Sequence, residues 1–178
     1  DRSLLDLTPA LQPADQSLNR GLLNGSPDPD GVIRRRPGHS AAEMRQHLGS
    51  SVPDGLAKTL LELANADINL DDKLLDLLDP YGPPGTIPTI SIWELLDANA
   101  FLTIKKSGVL TDAMVLVGPT AAVFQDLHPA VFSGAQGMPG VELHATEVAN
   151  RLEDRSLRWI PAPPGWNLAM AVLVLVAG

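Results

Sequence analysis

The chain has no cysteine among its 178 residues, which excludes a disulfide framework and any thiolate metal site. The redox compartment stays open. Basic residues are also few: 13 Lys and Arg stand against 21 Asp and Glu, a net charge of -8. An excess of that sign repels phosphate and argues against DNA or RNA as a partner. Residues 62–79 concentrate it, with Glu62, Asp67, Asp71, Asp72, Asp76 and Asp79 against the single Lys73. The one basic cluster, Arg34, Arg35 and Arg36, is too short to reverse the field. Common enzyme signatures are missing: there is no Walker loop, no GxGxxG and no GxSxG elbow. Val117-Gly118-Pro119-Thr120 comes after an apolar run as a phosphate-binding turn does, but Pro119 removes one backbone N–H from such a cradle. No basic start or apolar leader precedes the first helix signals, and Asp1 stands where Met is usual. The expectation is a piece of a longer protein.

What is present suits one folded domain, since 178 residues with 44% hydrophobic content can bury a core. The most informative stretch runs from Ala113 to Leu152. Met114 to Val117 is a continuous apolar run closed by Gly118 and Pro119, the pattern of a central strand buried on both faces. About eighteen residues of Gly- and Pro-containing loop come next, an unusual length that calls for an anchor or a bound partner. After Pro139, Val141, Ala145, Val148 and Leu152 recur at helical steps, which predicts an amphipathic helix with Glu142, Glu147, Asn150 and Arg151 on its other faces. Strand, loop and helix in that order make an α/β unit.

Earlier segments supply further elements. Residues 1–19 read as a loop with a helical turn around Ser3 to Leu7. Residues 21–24 and 31–35 read as two short strands joined at Pro27-Asp28-Pro29-Asp30-Gly31, where turn chemistry outweighs an incomplete calcium-loop pattern. The spacing Ser40 to Glu43 predicts a capped helix ending near Gly49, and His39 and His47 are expected in solvent. Ser51 to Asp54 opens a second helix, whose Leu56, Leu60 and Leu63, with Ala57, Leu61 and Ala64, call for a sheet to cover. Ser91 to Glu94 is another capping box, with Trp93 and Leu96 expected toward the core. Lys105 to Gly108 is a solvated turn. Residues 161–165 form a Pro/Gly linker, and residues 166–178, WNLAMAVLVLVAG, carry no charge, as the start of a transmembrane helix does.

Several of these stretches resemble a known family. VLVGPTA (115–121), FQDLHPAVFS (124–133) and MPGVELHA (138–145), with GLLNGSPDPDGVIRR (21–35) and YGPPGTIPTISIWELLD (81–97), look like the C-terminal part of the type-2 CHASE domain, the cyclase/histidine kinase-associated sensory extracellular domain. The resemblance implies a strand just before the Gly-Pro-Pro-Gly, where the leucines of Asp71 to Leu78 suit a helix equally. It further implies an α/β fold, a sheet flanked by helices, with the N-terminal half of the domain missing, residues 1–160 as a partial extracytoplasmic sensory domain and a membrane helix after it. The implied function is that of a sensor in the cell membrane of a bacterium. It responds to a small-molecule or physical signal and acts through transmembrane helices on a cytoplasmic cyclase or kinase, with a homodimer formed through the full-length receptor.

One polar constellation stands out: Asp126, His128, Glu142 and His144. His144 shares a helix face with Val141, Ala145 and Val148, so its ring is expected inward, where it needs a partner. Asp126 or a loop carbonyl could supply one, making the group a clasp between loop and helix. A ligand or metal site is the other reading, and these four are the candidate ligand-binding residues. No catalytic residue, resident metal or cofactor is expected. The alternative class is a soluble α/β metal-dependent hydrolase using Asp126, His128 and His144.

Overall fold

The computed structural model describes residues 21–50, 52–67, 76–155, 157–158 and 165–166. In chain order the elements are α1 (Pro37–Leu48), α2 (Leu56–Leu63), β1 (Asp76–Leu77), α3 (Ile92–Leu96), α4 (Ala98–Ser107), β2 (Leu127–His128), β3 (Met138–Pro139), α5 (Gly140–Leu152) and β4 (Leu157–Arg158). The fold is thus mixed α and β. Among the described residues, two antiparallel ladders of two strands each, β1 with β4 and β2 with β3, stand in place of the expected larger sheet. The expectations for residues 1–19, for the linker up to Pro164 and for the membrane segment beyond Trp166 lie outside the described residues.

Local chemistry accounts for the helix ends. Pro37 at the first turn of α1 has no N–H to leave unbonded, and Gly49, at a φ of 84°, lets the chain leave the helix. The helix therefore starts at Pro37 rather than after Ser40, whose hydroxyl instead meets Ser26 Oγ at 2.8 Å. The capping box at Ser91 forms as expected, with Ser91 Oγ accepting from an amide of the first turn and Glu94 reaching back to the Ser91 N–H. Asp97 then caps α4 by accepting from Asn99 and Ala100, and Gly108, left-handed at a φ of 74°, closes it at the expected turn.

Three segments differ from the expected strands. Residues 113–120 form no regular element and, among the described residues, no strand pairs with them; Met114 and Leu116 are half-buried, while Val115 and Val117 are 56% and 85% exposed. The run is therefore covered on one side only. Segments 21–24 and 31–35 do not pair with each other either: Leu22 bridges to Gly55, Ile33 to Ala130 and Arg35 to Leu77. The expected turn between them does form, with the Gly31 N–H donating to the Asp28 carbonyl at 2.8 Å. The strand before the Gly-Pro-Pro-Gly is present as β1, paired with β4.

The core is built on α5. Ile33, Leu78, Met138 and Leu143 form one cluster; Ala57, Leu61 and Val148 form another, with Met114 and Leu60 at its edge. The apolar face of α2 thus packs on α1 and α5 rather than on a sheet. On α5 itself the buried face is not the apolar stripe. Glu147, Asn150 and Arg151 are buried, whereas Val141 and Ala145 are half-buried and Leu152 is exposed. Each of these buried polar groups has a bond that explains it. Glu147 accepts from Arg151 at 3.1 Å and from the Gly38 N–H at 3.2 Å. Asn150 accepts from the Asp79 N–H and donates to the Asp79 carbonyl. Buried polar groups need such partners; Gly38 and Asp79 come from far along the chain, while the Glu147–Arg151 pair lies within α5.

Candidate functional site

Between the 115–119 segment, residues 23–25 and the first turns of α5 lies a cavity of about 590 Å³. Its walls are mainly apolar, from Leu23, Ile33, Leu60, Val115 and Val141. Into this lining come Asp126, His128 and His144, three of the four candidate residues. A volume of this size and a few polar groups in an apolar wall are the usual makings of a small-molecule site.

The loop after Pro119 carries two of these groups, and it is better ordered than its composition suggests. Short 3-10 turns occupy 122–124 and 134–136, and β2 pairs with β3, setting Leu127 opposite Pro139 and His128 opposite Met138. The Gly140 N–H donates to the Asp126 carbonyl at 3.0 Å, tying the loop to the start of α5. A Cβ at Gly140 would stand 2.5 Å from an Asp126 carboxylate oxygen, so a larger residue there displaces that side chain. That carboxylate takes His128 Nε2 at 2.9 Å, and both side chains are partly exposed to the cavity.

His144 is buried, as its helical position predicts, but it does not clasp the loop. Its Nε2 donates to the carbonyl of Leu23 at 3.1 Å, so it fixes the 21–25 segment to α5 instead. Nδ1 has no hydrogen-bond partner among the described residues. Burial pushes the pKa of the ring below its ordinary value of 6.5, an effect only partly offset by the Leu23 bond and the nearby Asp126 carboxylate. The neutral tautomer that results carries its proton on Nε2 and an unused lone pair on Nδ1.

Glu142 belongs elsewhere. It points away from the cavity and accepts from the Gly85 N–H at 2.9 Å and the Ile87 N–H at 3.4 Å, anchoring the Gly-Pro-Pro-Gly-Thr loop on α5. The acids of the 27–31 turn are also committed. Asp28 pairs with Arg34 and Arg35, and hydrogen bonds from Arg34 hold the Asp30 carboxyl at a pKa of about 2. The arginines fill the place a calcium ion needs. His39, expected in solvent, is buried against Glu43 at 3.2 Å, while His47 is exposed.

The metal-hydrolase alternative needs Asp126, His128 and His144 to converge on one point. The Nε2 atoms of the two histidines instead go to different acceptors, and among the described residues no three His, Asp or Glu side chains are grouped to hold a metal ion. Residue types alone do not single out Leu23 and Asn24, which also line the cavity. Leu23 serves through its backbone carbonyl, and a backbone group leaves no mark in the sequence.

Comparison with known proteins agrees with the wording of the motifs. The CHASE2 domain family matches residues 5–178. No curated protein and no solved structure matches the chain.

Proposed function

Because this chain belongs to the CHASE2 domain family, we propose that it is the extracytoplasmic sensory domain of a bacterial membrane receptor, and that the receptor signals through membrane helices to a cytoplasmic cyclase or kinase domain. The observation that carries this reading is the family match over residues 5–178, because the family is one of sensory rather than catalytic domains. Two features support it. The cavity offers a place for a stimulus, with Asp126, His128 and His144 as its polar contacts. The uncharged run WNLAMAVLVLVAG at residues 166–178 has the composition of the outer part of a membrane helix and comes after a Pro- and Gly-rich linker. No helix among the described residues is long and apolar enough to cross a membrane, so the proposal assigns the span to a helix that begins in this run. The stimulus is a small molecule or a physical signal, and the receptor acts as a homodimer.

The test is topological. In the full-length protein, cysteines are placed at the exposed Thr89 and Gln136 and treated in intact cells with a membrane-impermeant maleimide. Both sites label from outside if the domain is extracytoplasmic. Labelling only after the cells are opened overturns the proposal.

A further inference from the structure

We infer that the cavity beside α5 receives an organic amine: a positively charged nitrogen carried on an apolar body. This rests on the sensory reading for its biological purpose but not for its chemistry.

The argument starts from the charges that line the space. Among the described residues, Asp126, His128 and His144 are its only acidic or basic side chains; no Lys or Arg reaches it. Arginines close to it in sequence are held elsewhere, Arg34 on Asp28 and Asp30, and Arg45 on Asp54. The first turn of α5 would ordinarily attract an anion. That seat is already taken by the chain's own Asp126, whose carbonyl accepts from Gly140 and whose carboxylate lies against the Gly140 Cα. A second anion would meet a carboxylate, whereas a cation finds it available.

The free valences point the same way. His128 occupies Asp126 Oδ1, and Oδ2 has no donor among the described residues. His144 is more than nine-tenths buried, and its Nδ1 lone pair has no donor among them either. His144 Nδ1 is enclosed, so the acceptor open to a ligand is the Asp126 carboxylate, whose side chain is 37% exposed and which favours a ligand that brings N–H groups. An ammonium brings several, and the Asp126 carboxylate accepts one in a charge-assisted bond. The apolar walls from Leu23, Ile33, Leu60 and Val115 then cover a hydrocarbon or aromatic body.

A matched set of probes tests this, with benzylamine, benzyl alcohol and benzoate sharing one ring and differing in the head group. Titrated into the full-length protein in detergent and followed by calorimetry, benzylamine binds tightest and benzoate does not bind. Asp126→Asn weakens benzylamine about tenfold or more and leaves benzyl alcohol nearly unchanged. The wild-type comparison among the three probes needs no variant, so a misfolded Asp126→Asn does not remove the test. Benzoate binding as well as benzylamine, or no binding by any of the three, overturns the amine assignment and leaves the sensory reading standing. Benzylamine binding in a protein whose Gln136→Cys variant labels only from the cytoplasm upholds the amine site and sinks the sensory reading.

Discussion

Two residues of α5 show how a side chain's partner decides its effect. His144 is buried with one bond to Leu23, so His144→Ala leaves that carbonyl without its donor, at a cost of about 1–3 kcal/mol. The unfolding midpoint in urea reads this directly. His144 also sets a pH dependence, because burial lowers its folded pKa below the ordinary 6.5. The unfolded chain therefore takes up the proton first as pH falls. Stability from the neutral ring is complete above about 6.5 and declines as pH drops from there through the lower folded value. Midpoints measured on both sides of that pH should show the decline in the wild type and a flatter profile in His144→Ala. Glu147 is a harsher case. Removing it takes a partner from the buried Arg151 guanidinium and from the Gly38 amide, so Glu147→Ala should cost about 3–5 kcal/mol. A loss under about 1 kcal/mol, from the same urea curves, would contradict the pairing. Helical periodicity shows that His144 turns inward, but it places Glu147, Asn150 and Arg151 outside. Glu147 and Asn150 bond Gly38 and Asp79, backbone groups on other segments that no local pattern announces, whereas the Glu147–Arg151 pair is local, four residues apart.

At the level of elements, legibility tracks the range of the forces. Ser91 and Glu94 satisfy each other within one turn, and the start of α3 is readable for that reason. Whether Trp93 and Leu96 then meet the core depends on what lies across from them. They are 76% and 70% exposed, so the capping box correctly gives a helix while the apolar residues wrongly suggest a buried one. The run at 114–117 has the same lesson: hydrophobicity suggests a strand, but no strand forms there among the described residues because nothing pairs with it. Three of the four candidate site residues do meet at one cavity because they lie on the loop and helix joined at Gly140. Glu142 departs because it lies toward the other side of α5, where it holds the 82–87 loop. Glu142→Ala should speed hydrogen exchange at the Gly85 and Ile87 amides while benzylamine binding stays unchanged. Unaltered exchange there would remove Glu142 from its anchoring position.

Across the whole molecule, much apolar surface is left open. Among the described residues Trp93, Leu96, Val117, Val123, Phe124 and Phe132 are all exposed. The 178-residue chain by itself should associate as its concentration rises, seen in sedimentation velocity; a monomer throughout, unfolding cooperatively, would count against this. The buried polar side of α5 has a further mechanical consequence. Turning the helix about its axis would break the Glu147–Gly38 and Asn150–Asp79 bonds together and carry the Glu147–Arg151 pair, which lies within the helix, out of its buried seat. Tilting or shifting it as a unit spares them if Gly38 and Asp79 move along. At one end it holds Leu23 and Asp126 at the cavity; at the other, Arg155 grips Asp79 just before β4. Thirteen residues make a rod of about 20 Å between those ends. Like a splined shaft, it passes a push from one end to the other and refuses to spin.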